Sequence, residues 1–365
     1  VMSIGLYTHF PWCVRKCPYC DFNSHPLINK IDEEGYVSRL IEEIKSLLGS
    51  TEQSIKTIYL GGGTPSLFSS KTLARFLQSF DRQTVSEITM EANPGTLEHE
   101  PFESYLDAGI TRISIGVQSF APEQLQKLGR IHTADDASTA VENALKAGFD
   151  SVNLDLMFGL PDQTLDDAMA DLQRAISLGT DHLSWYQLTI EPRTEFHRRP
   201  PNLVSDDLRA DMSDAGRRLL EENGYSQYEV SAFGRDGSRC RHNVNYWRFG
   251  DYIGVGAGAH GKTGRGGKII RTMNPRQPRL YLSGAPTEIV EVLPSELPVE
   301  FMMNALRLTE GVETSLFSRT TGLPYDVISD IVDRLVSWEL MQPDRLQTTD
   351  RGYSQLNSVV GQFLS

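Results

Sequence analysis

Cys13-Val14-Arg15-Lys16-Cys17-Pro18-Tyr19-Cys20 carries three of the chain's four cysteines, spaced C-x3-C-x2-C. Thiols this close together share one site. Two readings compete, a zinc site and an iron–sulfur cluster. Structural zinc takes four protein ligands, usually from two C-x2-C pairs or a later H-x3-H. The fourth cysteine, Cys240, stands alone and 220 residues away. A [4Fe–4S] cluster normally takes four thiolates. Three cysteines leave one iron open to a small molecule, as a catalytic zinc keeps an open position. Pro18 and Tyr19 suit a tight loop that wraps such a cluster and shields it with an aromatic ring. The cluster is therefore the stronger reading.

Working outward, 365 residues suggest one large domain and a smaller one. With 39% hydrophobic and 23% charged residues the composition is that of a globular chain. No run of eighteen apolar residues predicts a membrane span, and the N-terminal residues do not read as a signal peptide. Clustered cysteines without a disulfide pattern point to the reducing cytoplasm. A net charge of −13 argues against non-specific nucleic-acid binding.

Strand-like and helical stretches alternate up to residue 188. Strands are expected over Ile4–His9, Ile55–Leu60, Glu87–Ala92, Arg112–Val117, Val152–Met157 and His182–Leu188. Helices are expected between them, for example Glu34–Leu48, where Tyr36, Val37, Leu40, Ile41, Ile44, Leu47 and Leu48 recur at helical spacing. Such alternation implies βαβ units and a parallel sheet. Six units make an incomplete (βα)6 barrel, although periodicity alone does not separate this from an open doubly wound sheet. Both architectures put ligands at strand C-terminal ends. The expected divisions are a barrel over residues 1–233, a glycine- and arginine-rich connecting region over 234–285, and a smaller helical domain over 286–365. Pro286–Pro298 reads as a linker. The helices near Val299–Leu308, Leu316–Thr321 and Pro324–Trp338, then a hairpin over Leu340–Thr349, give a winged-helix-like order. Residues 286–365 hold five Arg, no Lys and twelve Asp plus Glu, a balance that repels phosphate.

The cysteine spacing resembles the radical S-adenosylmethionine (SAM) superfamily. That resemblance implies SAM chelated to the open iron through its amino and carboxylate groups. Gly61-Gly62-Gly63-Thr64-Pro65 follows the second strand, where glycines let backbone approach a ligand. It lacks the pattern of a dinucleotide loop and the lysine of a P-loop. Glu91 ends the third strand, in reach of ribose hydroxyls. Asp155 lies inside an apolar strand, where a charge needs a partner, so it is expected to face the barrel interior. Arg130 would pair with it or with the SAM carboxylate.

One branch agrees over nearly the whole chain: the oxygen-independent coproporphyrinogen III oxidases and their relatives, the HemW-type heme chaperones. The likeness rests on Phe10–Cys13, Cys17–Ser24, Gly61–Ser66, Glu91–Gly95, Gly116–Phe120, Asp155 through Gly159-Leu160-Pro161, and His242–Trp247. It implies a SAM site of Tyr7, Tyr19, Gly62, Gly63, Thr64, Glu91, Gln118, Arg130 and Asp155. It also implies a [4Fe–4S] cluster on Cys13, Cys17 and Cys20. The oxidases carry a further cysteine where this chain has Phe22, and an N-terminal cover that is not expected here. The chaperones carry H-N-x-x-Y-W, matched by His242-Asn243-Val244-Asn245-Tyr246-Trp247. Imidazole is a common heme ligand, so His242 is the expected iron ligand, oriented by Asn243, with Tyr246 and Trp247 as a flat wall. Arg241, Arg248 and Arg271 are candidates for heme propionates, and Cys240 and His260 for further contacts. The implied function is heme binding and delivery to heme-dependent proteins. The alternative is radical chemistry on a porphyrinogen or another substrate. An electron donor and a peripheral membrane contact stay open.

Overall fold

A computed structural model of the protein describes residues 3–49, 54–95, 100–265 and 267–364. Six parallel strands form its centre: β1 (Ser3–Phe10), β2 (Ser54–Gly62), β3 (Glu87–Ala92), β4 (Arg112–Gln118), β5 (Ser151–Phe158) and β6 (His182–Gln187). They lie side by side in chain order. A doubly wound sheet reverses its strand order at a switch point. This order never reverses, and right-handed crossovers then keep every helix on one face. The sheet curves as an unclosed barrel, in agreement with the (βα)6 expectation.

The helices that separate the strands carry strong local signals. Those over Ala134–Ala147 and Leu165–Leu178 begin with reciprocal caps, Thr133 with Asp136 and Thr164 with Asp167. Each such cap satisfies two orphan N–H groups. Both helices end at a left-handed glycine, Gly148 and Gly179. Ile113, Ile115, Leu154, Leu156, Leu172 and Val141 are among the side chains that fill the core between sheet and helices.

The sheet continues past both ends of the barrel. A hairpin of β7 (Ser226–Glu229) and β8 (Ala232–Gly234) pairs antiparallel with β6. On the other side β9 (Tyr252–Val255) pairs parallel with β1. Beyond it lie β10 (His260–Arg265), β11 (Lys268–Met273) and β12 (Glu288–Glu291), all antiparallel. These twelve strands form one sheet, and a separate two-stranded pair lies in the cysteine loop. Two readings of the sequence need correction here. The glycine- and arginine-rich stretch 234–285, read as a connecting region, holds three strands, whose glycines break the hydrophobic alternation. Pro286–Pro298 was expected as a linker, but Glu288-Ile289-Val290-Glu291 is the exposed edge strand, held through its backbone rather than by burial.

A second core gathers the helices Leu297–Ala305, Thr314–Thr321, Asp326–Ser337 and Leu356–Gly361 around Phe301, Phe317 and Leu335. Phe249 and Ile269, from the sheet side, are buried in it. The hairpin expected over 340–349 is reduced to the bridge Met341–Thr348, beside Val312–Leu346. No helix among the described residues is long and apolar enough to cross a membrane.

Candidate active site

The C-terminal end of β1 runs into the cysteine loop. Trp12 and Cys13 pair with His25 and Pro26, which closes the loop on itself. Two ties hold its far side: the Cys20 amide donates to the Cys17 carbonyl at 3.1 Å, and the Phe196 amide to the Pro18 carbonyl at 3.0 Å. The Lys16 ammonium donates to the carbonyls of Phe22 and Ser24 at 3.1 and 3.2 Å. His9 anchors the loop from the strand. Burial lowers its pKa to about 4, so the ring is neutral. Its Nε2 lies 2.8 Å from the Asn23 carbonyl, which only accepts. Nδ1 is therefore the acceptor, and the Tyr7 hydroxyl donates to it at 3.0 Å.

Cys13, Cys17 and Cys20 face one cavity of about 510 Å³ at the C-terminal ends of the parallel strands. Tyr19, Gly62, Gly63, Thr64, Glu91, Gln118, Arg130 and Asp155 line the same cavity. Tyr7 does not; it sits one layer behind, its ring 6.2 Å from that of Tyr59. The glycines are sterically required. A Cβ on Gly62, at φ +114°, would lie 2.5 Å from the His9 ring, and one on Gly63 2.4 Å from the Trp12 carbonyl oxygen.

Glu91 accepts from the Tyr59 hydroxyl at 2.9 Å and from the Gly62 amide at 3.0 Å. Burial, and then the nearby Asp155 charge, raise its pKa to about 7. Asp155 accepts from the Ser114 hydroxyl at 3.0 Å and the Asn153 amide at 2.9 Å, and burial raises its pKa too. Arg130 does not pair with Asp155. It donates to Asn93 Oδ1 at 2.6 Å, to the Gly116 carbonyl at 2.7 Å and to the Cys17 sulfur at 3.6 Å. Gln118 ends β4 with φ 70°, a conformation that costs a non-glycine residue energy and is met most often at functional sites. Its Oε1 accepts from the Tyr186 hydroxyl at 2.6 Å.

The donor set fits the groups expected there. No three His, Cys, Asp or Glu side chains among the described residues converge on a single-ion site. A four-iron cluster gives each thiolate its own iron, so its ligands need only border a common cavity, as these three do. Arg130 Nε is buried without a partner among the described residues, a donor available to a carboxylate. The lining carries Asp21, Glu91, Asp155 and Glu191 against Arg15 and Arg130. Even with Glu91 partly protonated near neutral pH, acidic groups outnumber the two arginines, a balance that suits a sulfonium cation. Bound there, such a pair would supply reductive cleavage of a carbon–sulfur bond, while the residues named here hold and orient it.

The H-N-x-x-Y-W stretch lies at the opposite end of the barrel. It forms the helix Arg241–Trp247 beneath the strand N-termini. His242 is buried, and the polar group that meets its Nδ1 is the Thr57 hydroxyl at 3.0 Å, where the sequence suggested Asn243. Burial lowers its pKa to about 4. Tyr246 and Trp247 stand at 85° to each other, so they do not make one flat wall. Trp247 packs toward the second core under the Arg307 guanidinium. Arg271 is paired with Glu300, Arg248 with Glu313, and Cys240 is buried 3.6 Å from Glu87.

Sequence reasoning missed Tyr59, Ser114 and Tyr186, which also line the cavity. Tyr59 was within reach: it stands two residues before the glycine run on a strand, and a period of two puts it on the same face as Gly61. Ser114 and Tyr186 carry no such signal.

An unclosed six-stranded parallel barrel with a three-cysteine loop after β1 is the fold and site of the radical SAM superfamily, which the sequence matches over residues 7–175. The chain belongs to that superfamily and, within it, to the HemW family of heme chaperones. It is 46% identical to the heme chaperone HemW of Escherichia coli over 99% of this chain and 98% of that one. It is 45% identical, with the same coverage, to HemW of Haemophilus influenzae. In fold it is similar to the solved coproporphyrinogen III oxidase of Escherichia coli, with a TM-score of 0.82 at 20% identity, covering 100% of this chain and 90% of that one.

Proposed function

We propose that this protein binds heme and delivers it to heme-dependent proteins, with a [4Fe–4S] cluster on Cys13, Cys17 and Cys20 and SAM on the open iron. The observation that carries this reading is the full-length likeness to the HemW heme chaperones. Phe22 in place of the oxidases' further cysteine supports it. The SAM set is Tyr19, Gly62, Gly63, Thr64, Glu91, Gln118, Arg130 and Asp155, with Tyr7 supporting it from behind. Heme is assigned to His242, Tyr246 and Trp247. His242 Nε2 has no hydrogen-bond partner among the described residues, and the Thr57 contact at Nδ1 fixes the ring so that Nε2 is the ligating atom. In the working division, residues 1–233 carry cluster and SAM, 234–285 carry the heme motif, and 286–365 form a helical cover. The protein works in the cytoplasm, with an electron donor and a peripheral membrane contact as further partners.

One anaerobically reconstituted sample tests the reading. It should bind heme, hold one cluster whose paramagnetic resonance changes on adding SAM, and leave coproporphyrinogen unconverted. His242→Ala should alter the heme absorption band while the cluster stays intact. Conversion of coproporphyrinogen to protoporphyrinogen over many turnovers would replace this reading with the oxidase one.

A further inference from the structure

The three guanidinium nitrogens of Arg130 have three different surroundings. Nη2 donates to Asn93 Oδ1 at 2.6 Å and to the Gly116 carbonyl at 2.7 Å. These two acceptors use both of its protons and fix the plane of the group. Nε is shut off from solvent with no partner among the described residues, and is the donor open to a carboxylate. Nη1 reaches the cysteine loop, 3.6 Å from the Cys17 sulfur, a distance that suits the larger sulfur atom. Asn93 is held in turn, its amide donating to the Thr64 hydroxyl at 2.9 Å. The series Thr64, Asn93, Arg130, Cys17 thus takes one residue from the segment after each of β2, β3, β4 and β1. Of the groups that Arg130 bonds, only Cys17 can carry a negative charge. A cation withdrawn from water needs such a partner. The other two cysteines meet neutral groups, Cys13 the His25 carbonyl at 3.9 Å and Cys20 the Ser24 hydroxyl at 3.7 Å.

We propose that Arg130 sets the reduction potential of the cluster through the Cys17 sulfur. The proposal rests on the cluster reading above and adds a task to a residue so far assigned to SAM alone. The Cys17 Sγ stands here for the thiolate that a cluster iron would hold. Reduction brings one electron to the cluster from an outside reductant, with no proton, so the negative charge on its sulfurs grows. A charge-assisted N–H···S bond gains strength as that charge grows, and hydrogen bonds to the sulfurs are one of the levers on the potential of such clusters. Arg130 therefore favours the reduced form. In this role it acts through Cys17 and is a positioning residue.

The test uses the full-length protein, reconstituted anaerobically and kept free of SAM, so that loss of SAM binding cannot imitate the effect. Titration with dithionite and redox mediators, followed by paramagnetic resonance, gives the midpoint potential. R130M removes both charge and donor. It should lower the equilibrium constant for reduction about tenfold or more, which is about 59 mV for one electron, while iron stays at about four per chain. R130K returns the charge without the rigid fork and should recover part of the loss. In wild type carrying nitrogen-15 in its arginine guanidinium groups, the spin-echo modulation of the reduced cluster should show a nitrogen coupling that R130M lacks. Either variant, loaded and with the wild-type potential, overturns the proposal. If neither variant holds a cluster, the labelled wild type decides: a nitrogen coupling upholds the contact and its absence overturns it. If wild type itself takes up no [4Fe–4S] cluster, the cluster reading fails and this proposal falls with it.

Discussion

Glu91 shows how one residue's surroundings set its chemistry. It faces the cavity rather than bulk water, and burial together with Asp155 lifts its pKa to about 7. An unfolded glutamate titrates near 4.3. Between these values the folded chain holds a proton that the unfolded chain has released. Stability from this group is therefore complete below about pH 4 and is lost as pH rises through 7. Asp171, raised to about 6 by burial, acts in the same direction, so the Glu91 share must be isolated by difference. Without SAM, Glu91→Gln should remove about 1–3 kcal/mol of the stability lost between pH 5 and 8. Urea unfolding at several pH values measures it. Parallel pH profiles for variant and wild type would mean that Glu91 keeps an ordinary pKa. Cys240 gives a second prediction at this scale. It is buried beside Glu87, at the barrel end away from the cysteine loop. Cys240→Ser should leave the iron content of the reconstituted protein at about four per chain, and a lost cluster would contradict the three-cysteine assignment.

Among the elements, the helix Arg241–Trp247 is held in an unusual way. Its N-cap residue, Cys240, makes no side-chain cap. Glu87, the first residue of β3, does so from another element: its carboxylate accepts from the amides of Arg241 at 3.0 Å and His242 at 3.1 Å. The charge also favours the positive end of the helix. Glu87→Ala should cost about 1–3 kcal/mol, because the buried amide of His242 and the half-buried amide of Arg241 lose their acceptor, and Glu87→Gln should recover part of it. Chemical denaturation decides, and a loss below 0.5 kcal/mol would show that another group takes over the cap. This contact also marks the limit of sequence reading. The six strands were legible because Ile, Val and Leu runs are separated by capped helices. Most cavity residues were legible because they end those strands or sit in the cysteine loop or glycine turns, and Asp155 because a charge stands inside an apolar strand. A capping carboxylate 154 residues upstream of the helix it caps leaves no local pattern. Nor does β12, whose Glu288 and Glu291 flank two exposed aliphatics.

Over the whole molecule, the two cores are not separable at the boundaries that composition suggests. The second core takes Phe249 and Ile269 from the stretch preceding it, and β12 ties the chain back onto the sheet. Phe301 sits at the centre with no exposed surface, its ring 5.6 Å from Phe249 and 5.3 Å from Phe317, both edge-on. Phe301→Ala should destabilise the protein by about 3–5 kcal/mol, the usual result of removing a buried aromatic ring. Phe249→Ala should cost a similar amount. Because the two rings touch, the double variant should lose less than the sum, by about 0.5–3 kcal/mol. Unfolding followed both by far-ultraviolet circular dichroism and by tryptophan fluorescence should remain a single transition in each variant, since Trp247 packs against this core and Trp12 and Trp185 report on the barrel. If Phe301→Ala instead splits the transition, with the barrel signal unmoved, residues 286–365 unfold on their own. The helix that carries His242 would then be fixed by Glu87 and the barrel alone, and the C-terminal helices would be a cover that can leave without disturbing it.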